Sequence, residues 1–173
     1  FFLHKREMQH FMKMSDQLLK AMNDQANMEF ASAYLYLGMC YNMEEANLKG
    51  TAHWLRKQYE EELTHAYKIL DFIEDRDGKV ELPAIPAYTL HFDCPFEVSK
   101  TVLAHEQKVT ASIRHLFGLA REEKDYEAEI FLQWYVNEQI EEEVNSRDLV
   151  DKFGIAKDCK GAVMMLDAEL AKR

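Results

Sequence analysis

Hydrophobic and small residues recur along most of the chain at three- and four-residue intervals, the spacing that lines up one face of an α-helix. From Ser15, whose hydroxyl suits an N-cap, the positions Leu18, Met22, Ala26, Ala33, Tyr36, Leu37 and Cys40 form one stripe and predict a helix to about Met43. A second stripe, Trp54, Leu55, Leu63, Ala66, Ile69, Leu70 and Ile73, predicts a helix from about Lys49 to Arg76, closed at Asp77-Gly78 with the glycine as left-handed cap. Val98, Val102, Val109, Ile113 and Leu116 or Phe117 predict a third, from about Phe96 to Glu123. After the turn Lys124-Asp125-Tyr126 a fourth is expected to about Phe153. Beyond Gly154 a short fifth is expected from about Asp158 to Ala171, with Val163, Leu166 and Leu170 on one side. No stretch alternates with the period of two that signals a strand, and no internal repeat is present.

Residues 79–95 contain Pro83, Pro86 and Pro95 and cannot be helical throughout. A helix of about 28 residues is about 42 Å long, while about 17 extended residues reach roughly 56 Å, enough to return along the full height of a bundle. The third helix can therefore run parallel to the second. The fold predicted is all-α: a four-helix bundle with one long crossover between the second and third helices, plus a short fifth C-terminal helix. Residues 14–173 are expected to form one domain. Residues 1–13 place Lys5, Arg6, His10 and Lys13 among apolar residues, unlike the acidic remainder. They read as an extension: the remnant of a targeting segment, a genuine addition or an artificial boundary.

Composition narrows the function classes. With 173 residues, 12% aromatics, three prolines and six glycines, the chain fits one globular domain rather than a disordered or collagenous class. The longest mostly apolar run, Phe30 to Tyr41, falls short of the roughly 18 residues that span a bilayer, so no membrane segment is expected. Cys40, Cys94 and Cys159 lie far apart without a Cys-x-x-Cys, which argues against a disulfide framework and against a rubredoxin-like or zinc site, and favours a reducing compartment. The formal charge of -10 disfavours nonspecific nucleic-acid binding. It suits a protein that concentrates cations, although ordinary solubility explains such a charge equally simply. Asp75-x-Asp77-Gly78 lacks the further ligands of a calcium loop.

The chemistry lies where polar residues interrupt the stripes. Glu29 falls on the first, Glu106 beside the third, and a glutamate on an apolar face is costly unless neutralised, paired or bound to metal. In Glu61-Glu62-Leu63-Thr64-His65, Glu62 and His65 stand three apart and share a helix face. Such a pair projecting into a bundle core is half of a two-metal site, although a solvated helix shows the same spacing by chance. On the fourth helix Gln139 and Glu142 are likewise three apart, and Glu138, Glu141 and Glu142 make a carboxylate face whose like charges repel mildly. Each of four helices thus supplies one set near its middle.

These residues carry a resemblance. Asn27-Met28-Glu29 with Tyr36, Glu61-Glu62-Leu63-Thr64-His65, His105-Glu106-Gln107, and Phe131-Leu132-Gln133-Trp134-Tyr135-Val136-Asn137-Glu138-Gln139 followed by Glu141-Glu142 resemble the motifs of ferritins, most closely the bacterial-type non-heme ferritins, over residues 14 to 171. The resemblance implies a ferroxidase that oxidises Fe(II) with dioxygen and stores ferric mineral inside a homo-oligomeric shell of 24 subunits. Glu29, Glu62 and His65 would hold one iron and Glu62, Glu106 and Glu142 the second, with Gln139 hydrogen-bonding at the centre. Glu61, Glu138, Glu141 and Glu142 look like the third iron site of that family. Tyr36 and Trp134 match aromatic residues that can supply electrons there; their other reading is core packing. Glu129 stands where animal ferritins have a channel acid, with Leu132 in place of the second, and its other reading is a surface carboxylate.

Where di-iron bundles usually carry a second Glu-x-x-His, this chain has Gln139-x-x-Glu142, which leaves the second iron with oxygen donors only and so eases release of its product. Bacterioferritins place a heme-binding methionine where Leu63 stands, so no heme is expected. Rubrerythrin-like peroxidases bring a Cys-x-x-Cys that is absent, and DNA-binding mini-ferritins lack the fifth helix. A non-catalytic, metal-buffering bundle would make the site a relic. The expected location is cytoplasmic, or an organelle lumen if residues 1–13 are what remains of a targeting segment.

Overall fold

Among the described residues, 13–172 of the computed structural model, five α-helices and no strand are present: α1 Asp16–Glu45, α2 Lys49–Asp75, α3 Pro95–Glu122, α4 Tyr126–Ala156 and α5 Lys160–Leu170. The expected N-terminal extension lies outside the described residues apart from Lys13. Short turns join α1 to α2 and α3 to α4 into two hairpins, and α1 packs against α3 to close the four-helix bundle. The long crossover between α2 and α3 is as the proline-rich segment predicts. No helix of the described residues is long and apolar enough to cross a membrane.

The helix ends follow local chemistry. Ser15 Oγ accepts from Leu18 N at 3.0 Å and opens α1, and the Asp125 carboxylate accepts from Ala128 N at 3.0 Å and opens α4. Asn47, Asp77 and Lys124, with φ of 59°, 55° and 58°, close α1, α2 and α3. In each, the next amide reaches five residues back, as Gly78 N does to Ile73 O at 2.8 Å. The expected left-handed glycine at position 78 is therefore corrected: Asp77 takes the positive φ and Gly78 follows it. The expected stop at Phe153 is also corrected. The fourth helix continues through Gly154 to Ala156, since burial of Phe153 and Ala156 outweighs the roughly 1 kcal/mol that a glycine costs inside a helix.

The crossover is pinned along α1. Asn23 donates to Lys79 O at 3.0 Å and accepts from Glu81 N at 2.7 Å, Asn27 donates to Glu81 O at 2.9 Å, and Tyr88 donates to Asn42 Oδ1 at 2.5 Å. The asparagine contacts satisfy backbone groups of Lys79 and Glu81 that have no strand partner. At the far end of the bundle the buried Arg76 grips Asp125 through two 2.8 Å hydrogen bonds and ties the end of α2 to the start of α4.

The start of α2 is capped from a distance. Leu48 offers no side-chain cap, and the buried Asp167 of α5 supplies it: Oδ2 accepts from Gly50 N at 3.0 Å, and Oδ1 from Thr51 N at 2.7 Å and Thr51 Oγ1 at 2.8 Å. A Cβ at position 50 would collide with the Asp167 carbonyl, so only glycine admits this approach. Removing the carboxylate in Asp167→Ala is expected to cost roughly 1–3 kcal/mol. A calorimetric melt should show the loss and amide hydrogen exchange should show α5 opening first, with Asp167→Asn less affected. An Asp167→Ala protein that melts like wild type would contradict the cap.

Candidate metal centre

The apolar core is in two pieces. One cluster includes Leu18, Met22, Ile69, Ile73, Ile113, Leu116, Leu132 and Tyr135; the other includes Tyr36, Met39, Met43, Leu55, Val98, Val102, Leu149 and Phe153. Between them every bundle helix turns polar at its middle. Glu29, Glu62, His65, Glu106, Gln139 and Glu142 are all buried there, each at most 5% exposed. Helical spacing explains the placement, because each residue continues a stripe whose neighbours one turn away are core.

Glu29, Glu62 and His65 converge, with one potential ligand atom from each lying within 4.8 Å of the others. His65 Nδ1 is 3.5 Å from Glu62 Oε2. Glu29 Oε2 and Glu62 Oε2 are nevertheless buried without a hydrogen-bond partner. Buried polar atoms are rarely left so, and two such carboxylate oxygens facing an imidazole are what a divalent cation would satisfy. Glu106 is held from two sides: Tyr36 donates to its Oε1 at 2.5 Å and Gln139 to its Oε2 at 3.2 Å. Gln58 donates to Glu142 Oε2 at 3.0 Å, and Tyr135 donates to His65 O at 2.7 Å.

Electrostatics point the same way. Burial, then the nearby Glu62 carboxylate, pushes Glu29 well above the usual carboxylate range. Burial, then Glu106, does the same to Glu62. Burial raises Glu106 as well, although the hydrogen bonds from Tyr36 and Gln139 oppose the rise. Burial and the Glu106 carboxylate push the Tyr36 hydroxyl far up, so it stays a donor. Such a group of carboxylates must carry either protons or a cation.

The structure does not draw all expected residues equally close. Among the described residues, Glu29, Glu62 and His65 alone form a triple of that size; Glu106 and Glu142 are buried beside Glu62 without closing a second. Of the expected third set, Glu61 and Glu138 are half-buried and Glu141 is exposed, with Glu138 Oε1 4.0 Å from His65 Nε2. Trp134 is 36% exposed, edge-on to His65 at 5.3 Å, and lies under Lys68 Nζ at 3.5 Å. Tyr36 is fully buried. Glu129 is half-buried in the first turn of α4.

Sequence reasoning missed Gln25, Gln58, Ser112 and Tyr135. Gln25 had a signal, lying four residues before Glu29 on its face, and it donates to Glu29 Oε1 at 2.7 Å. The bonds of Gln58, Ser112 and Tyr135 cross between helices and have no sequence signature.

With this geometry in place, comparison with known proteins is informative. The ferritin-like domain family matches residues 19–155. A bacterial non-heme ferritin of Bacteroides fragilis is 35% identical over 159 residues, covering 92% of this chain and 99% of the relative. One of Staphylococcus haemolyticus is 37% identical over 161 residues, covering 92% and 96%. Among solved structures, an open pore ferritin from the hyperthermophilic archaeon Archaeoglobus fulgidus superposes with a TM-score of 0.91 at 41% identity, covering 93% of this chain and 99% of that one. Matched in sequence over its bundle and in shape over nearly its whole length, this chain belongs to the ferritin family and resembles its bacterial non-heme members.

Proposed function

We propose that the protein is an iron-storage ferritin whose bundle centre is a ferroxidase, taking Fe(II) and dioxygen as substrates and passing Fe(III) to a mineral. The observation that carries this reading is the buried Glu29, Glu62 and His65 triple with two orphaned carboxylate oxygens. Glu29, Glu62 and His65 would hold one ferrous ion and Glu62, Glu106 and Glu142 the second, with Glu62 shared between them. One imidazole among carboxylates retains Fe(II) while the hard oxygen donors favour Fe(III). Two irons oxidised together yield two electrons, which with two protons take dioxygen to hydrogen peroxide. Gln139, already bonded to Glu106, orients that carboxylate. Glu61, Glu138 and Glu141, together with Glu142, serve as a third, looser station.

The oligomer proposed is a hollow shell of 24 copies. In support, the apolar side chains Ile155, Met164 and Met165 on and beside α5 are 87%, 53% and 77% exposed, a surface that self-association would cover. Sedimentation at physiological salt is expected to give that mass, and a stable dimer or dodecamer would end the proposal.

Substituting the shared ligand separates the pair. Glu62→Ala is expected to lose nearly all rapid oxidation, whereas Glu138→Ala combined with Glu141→Ala keeps it and alters only stoichiometry and later turnover. Stopped-flow oxygen consumption decides: a folded Glu62→Ala shell that still uses about one dioxygen per two irons in its first turnover contradicts the bridging role.

A pH dependence follows from the raised carboxylates. Glu29, Glu62 and Glu106 bind protons more tightly folded than unfolded. Their contribution to stability is complete below the unfolded glutamate value of about 4.3 and is lost as pH rises through the higher folded values. The melting temperature of metal-free protein should therefore fall as pH climbs from about 5 towards 8, Glu29→Gln should flatten the decline, and Zn(II) should abolish it while releasing protons into a weak buffer. A metal-free melt that does not fall over this range, with no proton release on Zn(II) binding, would refute the assignment.

A further inference from the structure

Three glutamines are buried in the polar belt: Gln25 at 2% exposure, Gln58 at 0% and Gln139 at 5%. Each aims its amide nitrogen at a different carboxylate. Gln25 reaches Glu29 Oε1 at 2.7 Å, Gln58 reaches Glu142 Oε2 at 3.0 Å, and Gln139 reaches Glu106 Oε2 at 3.2 Å. Gln25 is itself fixed from α3, where Ser112 Oγ donates to its Oε1 at 2.5 Å. The amide nitrogen thus meets the Glu29 carboxyl on one side, and the amide oxygen meets the Ser112 hydroxyl, which can donate, on the other.

Resting on the two-iron reading above, we propose that Gln25 and Gln58 are positioning residues. Each engages one oxygen of a terminal carboxylate, Glu29 and Glu142 respectively, and so presents the other oxygen to the metal.

The choice of residue follows from charge. A lysine or arginine would hold a carboxylate as firmly, but would cancel the negative charge that draws two divalent cations into a buried site. An amide donates without adding charge. Glu62 has no glutamine of this kind: its Oε2 accepts no hydrogen bond, and His65 Nδ1 stands 3.5 Å away. A glutamine therefore holds each of the two outer carboxylates, and none holds Glu62 Oε2. That division suits a centre that takes up two ions and lets both products go. A purely structural role explains it less well, because an apolar side chain would fill either position without needing a partner.

The test uses Co(II), which binds without being oxidised by the site and reports ligand type in its visible spectrum. Assembled metal-free protein is titrated by calorimetry and absorption. Wild type is expected to take two Co(II) per subunit, one with nitrogen and oxygen ligands and one with oxygen alone. Gln25→Leu should weaken the histidine-containing site about 10–100-fold and spare the other, and Gln58→Leu should do the reverse. If Gln25→Leu does not fold, Ser112→Ala serves, since it leaves Gln25 in place but frees its amide, and it should weaken the histidine-containing site alone, severalfold; if Gln58→Leu does not fold, Gln58→Met, of similar length, serves and should weaken the all-oxygen site alone. Wild type taking fewer than two Co(II) would overturn the two-iron reading and this proposal with it. Wild type taking two, with folded variants that match it or lose both sites equally, would overturn the positioning role alone.

Discussion

The structure depends on how it keeps Glu29, Glu62, Glu106 and Glu142, with His65, in the dry centre of a helical bundle. Carboxylates taken from water into such a place repel one another and lose several kcal/mol of hydration each unless something answers their charge. Folding therefore needs apolar burial on either side large enough to carry a polar middle. The two clusters supply it, with side chains such as Leu18, Ile69, Ile113, Leu55 and Phe153 excluded from solvent and each worth about 1.5–3 kcal/mol on burial.

Long helices with distant ends must hold that middle in register. Each bundle helix has 27 residues or more, so a small error of rotation would move a belt carboxylate off the central face. The ends are accordingly locked: Arg76 to Asp125 at one, Asp167 over the amides of Gly50 and Thr51 at the other, and the crossover stitched to α1 by Asn23, Asn27 and Tyr88. Within the belt, Ser32 and His105 join α1 to α3 by a 2.7 Å hydrogen bond, and burial lowers His105 to about 4, so it takes part as a neutral ring.

Protons and cations compete for the same oxygens. In metal-free protein burial and mutual repulsion make Glu29 and Glu62 hold protons more tightly than free carboxylates do, and an entering divalent ion would have to displace them. Neutral donors surround the centre, among them Tyr36, Gln25, Gln58 and Gln139. They shape the site without spending its negative charge.

The helices, the crossover and the helix on which each buried polar residue of the belt lies were legible in the sequence alone. Those follow from a 3.6-residue period, from prolines, and from Glu29, Glu62, His65, Glu106 and Glu142 interrupting otherwise apolar stripes. It misjudged Gly78 and Gly154, because a glycine marks a cap only when the backbone there needs a positive φ, and at one position Asp77 adopts it while at the other packing carries the helix on. That Gln58 of α2 meets Glu142 of α4, that Ser112 of α3 meets Gln25 of α1 and that Asp167 of α5 caps α2 came from the packing of the helices. A hydrogen bond between helices depends on their rotation and separation, which the period of one helix does not encode. The spacing along a helix says which way a side chain faces; only packing says what it meets.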